Sequence, residues 1–148
     1  MSSLKKFLTK KKFTSIPLIL IATNHFEVRA KINGIKGRFI LDTGASNTCI
    51  AMDKIDYFNL VSKTSEIKAA GAGAVDMKTL ISKKNTIEIG KWKKKKLEIV
   101  LLDLVHVNEA LTTHKALPVD GIIGSDVLMK AKAIIDYDKK CVFLKPKK

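Results

Sequence analysis

The segment Phe39-Ile40-Leu41-Asp42-Thr43-Gly44-Ala45-Ser46 joins an apolar run to an acid, a turn and two small residues. An apolar run of this composition predicts a buried β-strand. An ionised carboxylate at the end of a buried strand is costly unless it is paired, hydrogen-bonded or used in a reaction. Asp42 is therefore the first residue that any function has to explain.

A β-hairpin is predicted immediately before this acid. Residues 26–32 alternate between apolar and charged side chains, which is typical of a half-buried strand. Asn33-Gly34 is a strong signal for a two-residue turn, and residues 35–42 form the returning strand. Gly37 interrupts that strand and indicates a bulge or a tight bend.

Two glycine-containing elements follow along the chain. Extended segments flank Gly71-Ala72-Gly73, and small side chains beside flexible glycines predict either a mobile hairpin or an ordinary loop. Further on, Ile122-Ile123-Gly124 precedes a short predicted helix, for which Ser125 or Asp126 is the expected N-cap.

The remaining segments are mostly short predicted strands. We expect strands at residues 16–22, 86–89, 96–104, 133–137 and 141–144, and a short helix at residues 107–113. Many short strands separated by turns, with little helix, indicate a mostly β fold, either a barrel or a sandwich. A chain of 148 residues predicts one domain, at residues 15–148, preceded by a basic N-terminal arm at residues 1–14.

The chain is strongly basic. Its 28 basic and 14 acidic residues give a formal net charge of +14, with lysine clusters at residues 5–12, 91–96 and 145–148. Such a field attracts anionic partners, among them nucleic acid, acidic protein segments and anionic membranes. Nucleic-acid readers usually add arginines or stacking aromatics, and Arg29 and Arg38 are the only arginines here. Solubility is therefore the favoured explanation of the charge, with nucleic-acid or membrane contact as the alternative.

Neither a metal site nor a disulfide framework is expected. Cys49 and Cys141 are isolated cysteines, and the three histidines have no paired spacing with them. We therefore expect no metal and no cofactor. The apolar run at residues 16–22 lacks the length and cleavage site of a signal peptide and is too short to span a bilayer, so a cytoplasmic location is expected.

The motif Leu41-Asp42-Thr43-Gly44-Ala45-Ser46 resembles the signature of aspartic proteases, and residues 16–144 are similar in layout to a single-lobe, retropepsin-like (clan AA) member. The resemblance implies a closed β-barrel lobe with a flap hairpin and one or two short helices. It implies that Asp42 is catalytic and that Ile122, Ile123 and Gly124 lie under the catalytic loop. It also implies that Thr43, Gly44, Ala45 and Ser46 support this loop, the two hydroxyls by hydrogen bonding, and that the flap over the substrate contains Ala70, Gly71, Ala72, Gly73 and Ala74.

Such a site predicts hydrolysis of peptide bonds. The reaction needs an activated water and a proton for the leaving amide, and two carboxylates that share one proton supply both. The chain contains a single Asp-Thr-Gly and is too short for two lobes. The second carboxylate is therefore expected from Asp42 of a second copy, in a two-fold homodimer with the active site at its interface.

The expected ligand is an extended peptide held by main-chain hydrogen bonds, as in strand addition. The candidate pocket-lining residues are Arg38, Ile40, Ala45 and residues 70–75 and 117–123. The resemblance suggests that segments 141–144 and 18–21 pair between subunits, and the alternative is that they stay within one lobe. The alternative functions are a non-catalytic peptide-binding or assembly module on the same fold, and a basic nucleic-acid or membrane-associated protein.

Overall fold

The structure, a computed structural model, describes residues 3–64 and 79–147. These residues form eleven strands, three α-helices and one turn of 3₁₀-helix. The helices are α1 Leu4–Lys10, α2 Val105–Thr113 and α3 Ser125–Lys130, and the 3₁₀ turn is Met52–Lys54. The strands are β1 Thr14–Pro17, β2 Ile19–Leu20, β3 Phe26–Ile32, β4 Ile35–Leu41, β5 Cys49–Ala51, β6 Ser62–Thr64, β7 Leu80–Ile89, β8 Trp92–Leu102, β9 Gly121–Ile123, β10 Ile134–Asp136 and β11 Cys141–Leu144.

Six of these strands close into a barrel. The larger sheet has the strand order β2-β3-β4-β9-β5-β8-β7-β6, and β3 also pairs with β7. This extra pairing, of Lys31 with Glu88 and of Ile32 with Ile87, closes the ring β3-β4-β9-β5-β8-β7. Closure protects strand edges that would otherwise be free to pair with other chains. The mostly β fold and the closed barrel expected from the resemblance are confirmed.

The barrel interior is filled mainly by aliphatic side chains. Strands β3, β4, β5, β7, β8 and β9 all send fully buried residues into one cluster, among them Ile32, Phe39, Ile50, Ile87, Ile99 and Ile123. Burying a side chain of this size stabilises the fold by roughly 1.5–3 kcal/mol relative to leaving it exposed. This core holds the strands that carry Asp42 in a fixed register.

The hairpin predicted at Asn33-Gly34 is present, but Gly37 does not mark the predicted bulge. Gly37 pairs in regular register with Ala30. A Cβ at position 37 would lie 2.7 Å from Cζ of Phe58 and 2.9 Å from Cε1 of Phe39. The glycine is therefore required by the close packing of two buried rings and not by a backbone irregularity.

A second sheet joins the two ends of the chain in the order β1-β11-β10. Both edges of β11 are occupied within one chain, by β1 and by β10. Of the two alternatives for residues 141–144, the structure therefore has the one in which they stay within the lobe. Residues 16–22 do not form the single predicted strand, because β1 and β2 belong to different sheets and Leu18 between them donates its amide to Lys140 O at 2.9 Å.

Helix α1 lies within the basic N-terminal arm. Its N-cap is Ser3, whose hydroxyl accepts the amide of Lys6, and its Leu8 is buried against Cys141 and Phe143. The division into an arm at residues 1–14 and a domain at residues 15–148 stays a prediction. Among the described residues, no helix has the length and apolar character needed to cross a membrane.

Candidate active site

Asp42 follows directly after β4, where this strand runs parallel to β9. Leu41 pairs with Ile123, and the amide of Asp42 donates to the Ile123 carbonyl oxygen at 3.0 Å. The Asp42 residue itself is half-buried. The sheet therefore fixes the backbone of Asp42 while its side chain remains partly accessible.

The loop after Asp42 orients its carboxylate. The amide of Gly44 donates to Oδ1 of Asp42 at 2.9 Å, and the amide of Ala45 donates to the Asp42 carbonyl oxygen at 3.2 Å. A Cβ at Gly44 would lie only 3.3 Å from Oδ1. One carboxylate oxygen is thus held by the backbone, and Oδ2 accepts no hydrogen bond from residues 3–64 or 79–147.

Gly124 packs directly against this loop. The carbonyl oxygen of Ala45 accepts the amide of Ser125 at 2.7 Å. A Cβ at Gly124 would lie 2.7 Å from that same oxygen and 3.0 Å from the backbone of Asn47. Only a glycine permits this approach, so the segment Ile122-Ile123-Gly124 supports the loop from the β9 side.

Thr48 is a supporting residue that sequence reasoning missed. It is fully buried, and its hydroxyl accepts the amide of Gly124 at 3.0 Å and donates to Oδ1 of Asp126 at 2.8 Å. Neither Ser125 nor Asp126 is the N-cap of α3 as predicted. The helix begins at Ser125 with Gly124 as its N-cap, and the Asp126 side chain bonds Thr48. No local signal marks Thr48, because its partners lie 76 and 78 residues away in sequence.

The remaining predicted site residues are Thr43, Ser46, Ala45 and those of the predicted flap. Thr43 and Ser46 are exposed, and within the described ranges neither hydroxyl makes a hydrogen bond. Ala45 is half-buried beside the loop carbonyls. The predicted flap, with Ala70, Gly71, Ala72, Gly73 and Ala74, lies outside the described residues. Strands β6 and β7, on either side of it in sequence, are antiparallel neighbours.

A cavity of about 340 Å³ opens beside Asp42. Among its lining residues are Ile40 and Ile122, two of the predicted pocket residues, and His25 and His106, for which the sequence predicted no binding role. Its walls are therefore mainly apolar, and two imidazoles line it together with the Asp42 carboxylate. Two other predicted pocket residues, Arg38 and Asp120, line a different cavity over the exposed face of the β3–β4 hairpin.

Helix α2 forms one wall of the Asp42 cavity. Its Leu111 belongs to the same buried cluster as Ile40, and Val107 and Ile122 both pack against this cluster. Asn108 fixes the following loop, accepting the amide of Val119 at 2.8 Å and donating to the Val119 carbonyl oxygen at 3.2 Å. The sequence analysis predicted a short helix at residues 107–113 but not its position beside Asp42, because no local pattern says which strand its apolar face covers.

A family model described as aspartyl protease matches residues 28–127 of the sequence. The match covers more than half of the chain and includes both Asp42-Thr43-Gly44 and Ile122-Ile123-Gly124. The chain belongs to the aspartyl protease family. It is accordingly a hydrolase of the aspartic-type endopeptidase class. No curated protein matches the sequence significantly.

Solved structures show that this aspartyl protease has a retropepsin-like fold. A retropepsin-like aspartic protease from Rickettsia conorii is 19% identical with a TM-score of 0.62, and the alignment covers 89% of this chain and 91% of that one. EIAV protease complexed with the inhibitor HBY-793 is 19% identical with a TM-score of 0.56, covering 74% and 90%. The retroviral protease-like domain of Ddi1 from Leishmania major is 14% identical with a TM-score of 0.51, covering 80% and 86%.

Cys49 of this aspartyl protease lies on β5, next to β9. The pKa of its thiol is raised from 9.0 to about 12, mainly by burial. The negative charges of Asp126 and Asp42 add to the rise, and a hydrogen bond with the Ile122 backbone opposes it. A thiol with so high a pKa stays protonated at neutral pH and is a poor nucleophile. Cys49 is therefore a packing residue near the site and not a second reactive group.

Proposed function

We propose that Asp42 is the catalytic carboxylate of this protease and that it acts as a pair with Asp42 of a second copy of the chain. The observation that carries the proposal is the state of its carboxylate. Oδ1 is held by Gly44, while Oδ2 accepts no hydrogen bond from the described residues and the side chain lines a cavity. A half-buried carboxylate that is oriented but not fully paired is typical of a catalytic group.

The two acids that flank Ile122-Ile123-Gly124 in sequence, Asp120 and Asp126, are already engaged, which supports a partner from outside the chain. Asp126 accepts the Thr48 hydroxyl, and Asp120 accepts the Arg38 amide at 3.0 Å and lies 3.6 Å from Nζ of Lys54. Both are engaged in structural contacts. Because the chain has one Asp-Thr-Gly motif, a two-fold axis is the simplest way to bring an equivalent carboxylate to Asp42. The exposed hydroxyls of Thr43 and Ser46 are also free to form hydrogen bonds with a second copy of the chain.

The proposed chemistry follows from two carboxylates about 3 Å apart, which share one proton because they cannot both ionise readily. The ionised member takes a proton from a water, whose oxygen adds to the peptide carbonyl carbon. The protonated member gives its proton to the carbonyl oxygen. The carboxyl group that took the proton from water then gives it to the amide nitrogen, and the other carboxylate takes a hydroxyl proton from the diol intermediate. The C–N bond breaks, a carboxylic acid and an amine are released, and the pair again shares one proton.

The substrate is proposed to be an extended peptide whose apolar side chains enter the cavity beside Asp42. The apolar walls from Ile40, Val107, Leu111 and Ile122 suit such side chains. Subsite size is set largely by α2, since Val107 and Leu111 of this helix line the cavity together with Ile40 and Ile122.

The experiment compares the wild-type protein with Asp42→Asn and Asp138→Asn on a diverse peptide library from acidic to neutral pH. Asp138 is a suitable control because its side chain is 88% exposed. We expect the wild type and Asp138→Asn to cleave the same internal peptide bonds and Asp42→Asn to cleave none. Equal cleavage by Asp42→Asn, or no cleavage by any of the three, would overturn the proposal.

A further inference from the structure

A cavity of about 730 Å³ lies over the exposed face of the β3–β4 hairpin. Side chains alternate along a strand, so Arg29 and Lys31 of β3 face the same side as Lys36 and Arg38 of β4. Arg29 is directly opposite Arg38, and Lys31 is directly opposite Lys36. Like charges in directly opposed positions destabilise a sheet, so this face would be stabilised by a bound anion.

The two arginines are held in place by one buried carboxylate. Oε1 of Glu27 lies 2.7 Å from Nε of Arg38 and 3.2 Å from Nε of Arg29. The Glu27 side chain is only 5% exposed, whereas the Arg38 and Arg29 side chains are 26% and 61% exposed. Because Glu27 engages the Nε atoms, the terminal guanidinium nitrogens remain available to a ligand. An arginine fork positioned in this way suits an oxyanion.

The other charges around the cavity leave a surplus of positive charge. Within residues 3–64 and 79–147, neither Lys31 nor Lys36 lies within ion-pair distance of a carboxylate. The two remaining lining acids already have lysine partners: Glu88 lies 3.6 Å from Nζ of Lys93, and Asp120 lies 3.6 Å from Nζ of Lys54. Four cations of the hairpin face therefore share only the Glu27 carboxylate.

We propose that this cavity binds the carboxylate side chains of an acidic peptide segment, with Arg29 and Arg38 as the oxyanion fork and Lys31 and Lys36 as flanking cations. The volume exceeds what one carboxylate needs and suits several side chains of one segment. That such a segment belongs to a cleaved protein rests on the proposed protease function, but the binding itself does not.

A peptide fits this cavity better than a nucleic acid does. None of the described lining residues is aromatic, so the cavity offers no surface on which bases could stack. Glu88 and Asp120 also line it and would repel a continuous phosphate backbone. Arg38 lies on β4, four residues before Asp42, which directly follows the end of this strand, so the two are about 13 Å apart at the usual rise per residue. A single extended peptide can span that distance.

The test measures binding by fluorescence anisotropy in the Asp42→Asn background, so that the peptide stays intact whether or not the proposed protease function holds. The probes are a labelled Glu-Gly repeat peptide, the matching Gln-Gly peptide and a labelled oligothymidylate. Three double variants each remove two positive charges: Lys31→Gln with Lys36→Gln, Arg29→Gln with Arg38→Gln, and the control Lys5→Gln with Lys10→Gln on α1. Thermal unfolding checks that each variant is folded.

We expect the Glu-Gly peptide to bind at low salt and to lose about tenfold in affinity in each cavity variant, while the α1 control changes less than about twofold. The lysine variant keeps the test decisive if the arginine variant does not fold, since both lysine side chains are exposed. Equal losses in the cavity variants and the control would show a general charge effect and overturn the proposal. So would undetectable binding, equal binding of the Gln-Gly peptide, or cavity-dependent binding of oligothymidylate alone.

Discussion

The amide of Gly44 donates a hydrogen bond of 2.9 Å to Oδ1 of Asp42, two residues earlier in the same loop. The backbone of the loop therefore sets the orientation of the carboxylate, and anything that moves the loop moves the acid. Gly124 and Thr48 hold the loop from beneath, without lining the cavity beside Asp42. The first two predictions concern this support.

Thr48→Val should destabilise the protein and reduce its activity. The valine has nearly the same shape, but it leaves the Gly124 amide and the Asp126 carboxylate without their hydroxyl partner. We expect a loss of about 1–3 kcal/mol in the free energy of unfolding. Thr48→Ser keeps the hydroxyl and should retain most of the activity per folded molecule. Urea unfolding and peptidase assays measure both, and a fully active Thr48→Val would contradict the proposed support.

Gly124→Ala should displace the loop that follows Asp42. The new Cβ would lie 2.7 Å from the Ala45 carbonyl oxygen, and we expect a cost of about 1–3 kcal/mol together with a large fall in kcat. Gly34→Ala is the control. It has a φ of +82° but open space around it, so it should cost about 1 kcal/mol through backbone strain and leave kcat unchanged. Equal kcat values for the folded Gly124→Ala and Gly34→Ala variants would contradict this prediction.

Cys49 should make the protein less stable at alkaline pH. Its folded-state pKa of about 12 exceeds the ordinary 9.0, so the folded state binds the thiol proton more tightly than the unfolded state does. The contribution of this proton to the free energy of unfolding is fully present below pH 9.0. It is lost as the pH rises towards 12, with a slope of about 1.4 kcal/mol per pH unit. Urea unfolding of the wild type and Cys49→Ala from pH 7 upwards measures it. The stability difference should be constant up to about pH 9 and then shrink, and parallel curves would refute the prediction.

His106→Ala should change substrate preference without changing stability. His106 is exposed on α2 and lines the cavity beside Asp42, so its removal enlarges the cavity. We expect the free energy of unfolding to change by less than about 0.5 kcal/mol. The kcat/KM for peptides with a large apolar residue at the scissile bond, divided by that for peptides with a small one, should rise by about tenfold. His114→Ala, on a histidine that follows the same helix and does not line the cavity, should leave that ratio unchanged.

The sequence predicted the elements that depend on local patterns. The alternation of residues 26–32, the Asn33-Gly34 turn and the acid after an apolar run placed the hairpin and the end of β4 correctly. The resemblance of the motif at residues 41–46, together with the layout of residues 16–144, then led to the closed barrel. These predictions succeeded because turn chemistry, strand periodicity and the cost of a buried carboxylate are all expressed within a few residues.

The features that sequence reasoning missed depend on contacts between distant residues. Thr48 supports Gly124, α2 covers Ile40, and Gly37 makes room for Phe58, but none of these relations leaves a local pattern. Arg38 was predicted to line the substrate pocket. It instead lines the second cavity, where Glu27 holds its side chain.

The shared dyad is tested most directly by mixing wild-type protein with Asp42→Asn at constant total concentration and allowing the subunits to exchange. If each active site needs Asp42 from both copies, mixed dimers are inactive and activity falls with the square of the wild-type fraction. It should reach about one quarter at equal mixing. A linear fall, to about one half at equal mixing, would show that one Asp42 suffices and would contradict the shared active site.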